Sequence, residues 1–265
     1  MNRIAGRFEA LKQRKQKGLI VYIGAGDPHL AATRDLAWGF DEAGVDVLEL
    51  GVPFSDPLAD GIVNQLAAQR GLSSGATPPK VLATVAEIRR RSQIPIVLYI
   101  YYNLLHRVGL EKFIRDAAAA GVDGLLVLDL PPEESENYET LMETHGLCRI
   151  YLVAPTTPEE RISLIVRRAT GFVYYVSREG VTGMRDTIAD TIPARAALIR
   201  AHTALPLAIG FGISNPDQAR QVAAYGDAIV VGSAIVNRIA ELGDTPALVP
   251  TVAGWVRTLA QAIRE

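Results

Sequence analysis

Eight short β-rich runs recur along this chain, each followed by loop residues and then by a longer amphipathic segment. The runs are Leu19–Ile23, Val45–Leu50, Ile96–Tyr101, Gly124–Leu128, Arg149–Val153, Phe172–Val176, Leu207–Phe211 and Ala228–Val231. Segments between them, such as Glu111–Ala120 and Asn215–Tyr225, carry apolar residues at helical spacing. Strands that alternate with helices pair in parallel, and eight such units predict a closed (β/α)8, or TIM, barrel rather than an open sheet. An amphipathic stretch at Arg3–Gln16 predicts an extra N-terminal helix capping the barrel's N-terminal end. The tetrapeptide Ala-Gly-Val-Asp at 43–46 returns at 120–123. It marks a repeated junction at which glycine ends a helix just before a strand, and it reads as architecture without chemistry.

The length of 265 residues suits one barrel of this kind, and no low-complexity linker or compositional break divides it, so a single domain over residues 1–265 is expected. Lys and Arg number 27 against 29 Asp and Glu, which leaves no electrostatic case for nucleic acid or an anionic membrane as a partner. Cys148 is the single cysteine, so an intramolecular disulfide and a cysteine metal cluster are both excluded. No apolar run reaches the roughly 18 residues of a membrane span, and Met1–Lys17 lacks a signal-peptide core. A cytoplasmic enzyme is the expectation.

Chemistry is densest in the run Leu48-Glu49-Leu50-Gly51-Val52-Pro53-Phe54-Ser55-Asp56-Pro57-Leu58-Ala59-Asp60-Gly61. Glu49 stands near the end of the second predicted strand, and a Pro- and Gly-rich loop brings Asp56 and Asp60 back toward it. A carboxylate at the end of a buried strand is costly unless a partner or a reaction needs it. Two carboxyls in different surroundings can divide acid and base roles. In barrels of this type catalytic groups sit at the C-terminal strand ends, where Glu49 and Asp60 fall. Read blandly, Glu49 is a solvated strand-end acid and Asp60 a helix N-cap. Asp56 suits a turn, and Asp27 and Asp129 suit loop organisation.

Two glycine loops form a second constellation. Gly212-Ile213-Ser214 follows the seventh strand and Gly232-Ser233 the eighth, the usual phosphate site of such barrels. Tyr174 to Gly183 runs from the sixth strand into a loop with two glycines, suited to a lid over a ligand. The four histidines, His29, His106, His145 and His202, show no spacing for a metal or a triad and read as surface residues. No metal site is expected.

Together these segments resemble the tryptophan synthase alpha subunit family over nearly the whole chain. The most specific pieces are Glu49 to Gly61, Tyr102-Asn103, Ala120 to Gly124, Asp129 to Glu134, Val153 to Thr157, Tyr174 to Gly183, Gly210 to Ser214 and Gly232 to Val236. The resemblance implies retro-aldol cleavage of indole-3-glycerol phosphate to indole and glyceraldehyde 3-phosphate, with no cofactor. It implies Glu49 as general acid/base and Asp60 as acceptor of the indole N–H. Tyr175 and Phe211 would line the indole pocket, and backbone groups of Gly183, Gly212, Ile213, Gly232 and Ser233 would hold the phosphate. It implies a beta-subunit partner in an α2β2 complex, facing the loop at 53–60 and Asn103. A stand-alone lyase, or a subunit kept to activate its partner, are the alternatives. The chain also departs from the family pattern: proline is usual at Val21, Ile62, Leu104 and Leu128, Thr at Gly24, and smaller or less aromatic residues at Tyr99 and Ile100. Lost prolines loosen loops without erasing a fold. Gly24 removes a hydroxyl that could have organised Asp60.

Overall fold

In a computed structural model, which describes residues 2–176 and 191–264, all eight expected strands form. They are β1 (Gly18–Gly24), β2 (Val47–Gly51), β3 (Ile96–Ile100), β4 (Gly124–Val127), β5 (Cys148–Val153), β6 (Val173–Val176), β7 (Leu207–Gly210) and β8 (Ala228–Val231). Each pairs in parallel with its neighbours, and β8 returns to β1, closing the barrel. The helices around it begin with α1 (Arg3–Gln13), α2 (Leu30–Ala43), α3 (Ile62–Ser73), α4 (Pro78–Ile88), α5 (Tyr102–Val108) and α6 (Leu110–Ala120). They continue with α7 (Glu136–Thr144), α8 (Glu159–Arg168), α9 (Thr191–His202), α10 (Pro216–Ala223), α11 (Ser233–Leu242) and α12 (Leu248–Ala262). Among the described residues no helix is long and apolar enough to cross a membrane.

Alternate residues of each strand serve two separate cores, as the period of two demands. Leu19, Val21, Leu48, Leu50, Ile209 and Ile229 face outward into the layer shared with the helices. Ile20, Val47, Val97, Ile150, Phe172 and Ala208 face inward and fill the barrel. Ile4, Phe8 and Leu11 of α1 plug the N-terminal floor, with the Phe8 ring 5.7 Å from that of Phe172. The expected cap is therefore present, three residues shorter than the apolar pattern. The shortening has a local cause: Lys15 turns left-handed at φ 54°, and the Gln16 N–H bonds back to the Leu11 carbonyl at 2.9 Å.

The repeated Ala-Gly-Val-Asp junction has the expected glycine geometry, with Gly44 at φ 90° and Gly121 at φ 95°. Its aspartates do more than expected. Asp46 accepts the Leu19 N–H at 2.8 Å and Asp123 the Ile96 N–H at 2.8 Å, so each ties its own strand to the preceding one. Asp227 does the same for Leu207, at 2.8 Å, a third copy hidden in the sequence because only Gly-Asp is kept. Both Asp46 and Asp123 are buried and both hold two guanidiniums. Arg7 (3.3 Å) and Arg264 (2.7 Å) meet Asp46; Arg3 (2.9 Å) and Arg89 (2.8 Å) meet Asp123. Removing one member of such a set leaves uncompensated buried charge. Asp123→Ala is expected to destabilise the chain by roughly 3–5 kcal/mol, read as a lowered midpoint in equilibrium urea unfolding. An unchanged midpoint would show the clasp to be energetically idle.

Candidate active site

Glu49 lies in the interior of β2, registered between Tyr22 of β1 and Val97 of β3. Its neighbours Leu48 and Leu50 belong to the outer layer, so the alternation sends Glu49 into the barrel. The side chain is 1% exposed, and its Oε1 has no hydrogen-bond partner among the described residues. Burial disfavours the carboxylate and pushes the group up to about 8. At neutral pH it therefore carries a proton ready to be given away.

Asp60 sits in the loop between β2 and α3, and it is not the helix N-cap, a place taken by Gly61. Its carboxylate accepts the Tyr99 hydroxyl on Oδ1 at 2.7 Å and the Tyr101 hydroxyl on Oδ2 at 2.8 Å, with Asn64 Nδ2 at 3.5 Å. Burial pushes Asp60 above the usual carboxylate range, and the hydrogen bonds from Tyr99, Tyr101 and Asn64 pull against it. The two acids thus stand in opposite surroundings, one buried with its Oε1 unpartnered among the described residues, the other held by donors.

Tyrosines build the mouth around them, and the sequence reading passed over most of these. Tyr22 meets Tyr99 edge to face at 5.0 Å. A Cβ on Gly51 would lie 2.5 Å from the Tyr22 hydroxyl, and one on Gly210 would lie 2.7 Å from that of Tyr174. Each ring therefore occupies space that a glycine on the next strand leaves open. Burial above all, then the nearby Asp60 and Glu49, keeps the Tyr22 phenol protonated. Tyr174 is held the same way by burial and by Glu49. Tyr22, Gly51, Pro53, Asp60, Tyr99 and Tyr101 line a small cavity at this end of the barrel. Asp27, expected to organise its loop, is buried and clasped by Arg70 of α3 through two bonds of 2.8 Å. Asp129 accepts the Tyr102 N–H at 2.6 Å, also as a loop organiser.

The expected residues of the second half are placed unevenly. Tyr175 is fully buried in the outer layer with Val173, and it is Tyr174, one residue earlier, that faces the barrel interior. The expectation for Tyr175 is corrected by this parity of β6. Phe211 is half-buried just past β7 and packs against the outer core. Gly212 takes a left-handed φ of 68°, Ile213 is buried, and α11 opens at Ser233 after Gly232. Among the described residues no side chain caps α11, and its first turn is free of acids, so its leading N–H groups offer partial positive charge to an anion. By contrast α10 is capped by Asn215 and carries Asp217 in its first turn. Gly183, with the rest of the expected lid from Ser177 onward, lies outside the described residues. Among the described residues no group of three or more His, Cys, Asp or Glu is placed to hold a metal.

Comparison with known proteins points to one family. The family model described as "Tryptophan synthase alpha chain" matches residues 8–263. The tryptophan synthase alpha chain of Opitutus terrae is 54% identical over 241 residues, covering 91% of each chain. That of Geobacter sulfurreducens is 50% identical over 263 residues, covering 99% of each. The crystal structure of tryptophan synthase subunit alpha from Legionella pneumophila superposes with a TM-score of 0.89 at 38% identity, over 99% of this chain and 98% of that one. An eight-stranded parallel barrel with a buried glutamate inside, matched over its whole length at such identity, belongs to the tryptophan synthase alpha chain family.

Proposed function

We propose that Glu49 and Asp60 divide the work of the alpha reaction between them. That reaction, a step of tryptophan biosynthesis, is the lyase chemistry of this family: retro-aldol cleavage of indole-3-glycerol phosphate to indole and glyceraldehyde 3-phosphate. The observation that carries the division is the contrast between the dry carboxyl of Glu49 and the phenol-bonded carboxylate of Asp60. Protonated Glu49 gives its proton to indole C3, which places positive charge on the ring. The resulting Glu49 carboxylate then takes the proton of the glycerol hydroxyl next to the scissile bond. That bond breaks, its electrons return to the ring, and the hydroxyl carbon becomes the aldehyde. Glu49 ends with one proton, as it began. Asp60 accepts the indole N–H and stabilises the ring while it is positive.

The remaining assignments follow the mouth. Tyr22, Tyr99 and Tyr174 line the indole pocket, with Phe211 at its rim. Backbone N–H groups of Gly212, Ile213, Gly232 and Ser233, together with Gly183, hold the phosphate. Tryptophan synthase alpha chains normally work with a beta subunit, and we place that partner of an α2β2 complex over the loop at 53–60 and Asn103. Support comes from the apolar side chains left in solvent there: Leu58 is 93% exposed, and Ile62 and Leu66 stand exposed beside it. A cytoplasmic location suits such a biosynthetic enzyme.

The deciding assay is indole release from indole-3-glycerol phosphate, with and without a tryptophan synthase beta subunit. Release is expected in both cases and faster with the partner; equal rates would favour a stand-alone lyase, and no release would sink the assignment. Glu49→Gln should lower turnover by at least 10²- to 10⁴-fold. Asp60→Asn should lower it by about 10²- to 10³-fold. In the parent chain kcat/KM should fall as pH rises past about 8, where Glu49 loses its proton. Stability carries the same signature. The folded state holds a proton on Glu49 that the unfolded chain releases near 4.5, so this group's contribution declines from there up to about pH 8. Glu49→Gln should therefore gain thermal stability relative to the parent across that window, and a difference in Tm that stays flat with pH would contradict it.

A further inference from the structure

We propose that Tyr99 is a positioning residue for Asp60, its hydroxyl acting with that of Tyr101 to fix the carboxylate's orientation and keep it an anion where it meets the substrate. This rests on the reading of Asp60 as acceptor of the indole N–H. Each carboxylate oxygen receives one phenol, at 2.7 Å from Tyr99 and 2.8 Å from Tyr101. Tyr101 has no freedom in this arrangement. Its oxygen accepts the Ala59 N–H at 3.0 Å, so its single proton is committed to Asp60. Tyr99 approaches from the other side, on a rigid strand, registered opposite Gly51 and braced edge to face by Tyr22 at 5.0 Å. A tyrosine has two side-chain torsions, and here packing settles both. The pair therefore holds the plane of Asp60 between a strand and the loop that follows β2.

The electrostatics give these donors their weight. Among the described residues no ion pair reaches Asp60. The titratable groups that face it are Tyr22 from β1 and Tyr99 and Tyr101 from β3 and its end, and Glu49 of β2 reaches Tyr22. Asp27 stands behind Tyr22 and Asp129 beyond Tyr101. From α3 comes Asn64, at 3.5 Å, while Arg70 of that helix is engaged with Asp27. With no cation among the described residues at the carboxylate, the neutral donors there offset its burial. A carboxylate offers about four lone-pair positions, so two phenols and the weak Asn64 contact still leave one for a substrate N–H.

The test is Tyr99→Phe in the full chain, which keeps the ring and removes only the hydroxyl. A lost hydrogen bond to a charged group corresponds to about a 10- to 100-fold loss in kcat/KM, carried mostly by kcat because the ring charge develops after binding. The phenol favours the ionised form, so the acid limb of the pH–rate profile should move to higher pH. Independently of activity, the ¹³C NMR titration midpoint of the Asp60 carboxyl, assigned with Asp60→Asn, should rise in the same direction. A Tyr99→Phe chain with parental acid limb and parental midpoint overturns the proposal, provided Asp60→Asn is impaired. If Asp60→Asn turns over like the parent, the reading of Asp60 itself fails and the proposal falls with it.

Discussion

Closure of the barrel is the constraint on which everything else rests. In an open sheet a strand can slip by one residue and exchange its two faces. In a ring of eight parallel strands every strand is held on both sides, so the inside and outside sets are fixed together. That is how a single glutamate among leucines, Leu48-Glu49-Leu50, is kept in a dry interior that it would otherwise leave. The opposite end of the barrel supplies the rigidity. Three aspartates tie neighbouring strands there, and α1 fills the floor with Ile4, Phe8 and Leu11. Stability is concentrated at the floor and chemistry at the mouth, the division expected of this architecture.

The strands were legible because each is a short β-rich run between punctuating loops, and all eight lie where the runs place them. What the sequence could not settle was parity where two similar residues are adjacent. Tyr174-Tyr175 is aromatic on both faces, so nothing local says which ring turns inward; the clue lies on the next strand, where Gly210 leaves room for one ring. The surroundings of Asp60 were hidden for another reason. Asp-Gly before a helix is a good local cap, but the phenols that hold the carboxylate come from 39 and 41 residues away. Gly24 lacks the hydroxyl that could have organised Asp60, and Tyr99 and Tyr101 supply hydroxyls to it instead.

The departures from the family pattern sort themselves by environment. Val21 points into the outer core, Ile62 is exposed on the first turn of α3, and Leu104 is half-buried near the end of β3. Gly24 admits α3 closely, since a Cβ there would stand 3.2 Å from that of Ala67. Tyr99 alone among these departures bonds Asp60, through the hydroxyl that a smaller apolar residue would lack. Most of the changes therefore alter loops and packing around the pair of acids, and one alters the pair itself.

The clasp at Asp46 has a consequence for how the chain is made. Its carboxylate serves Arg7, synthesised before it, and Arg264, which follows 218 residues later. The Leu19 N–H that it receives binds β1 to the β2 side of the ring. While the chain is emerging from the ribosome, the floor of the barrel therefore has an acid with half of its countercharge, and β1 waits for β8 as its second neighbour. Closure of the floor thus waits until β8 and Arg264 have both been made, and until then β1 presents an open strand edge of the kind that pairs with other chains.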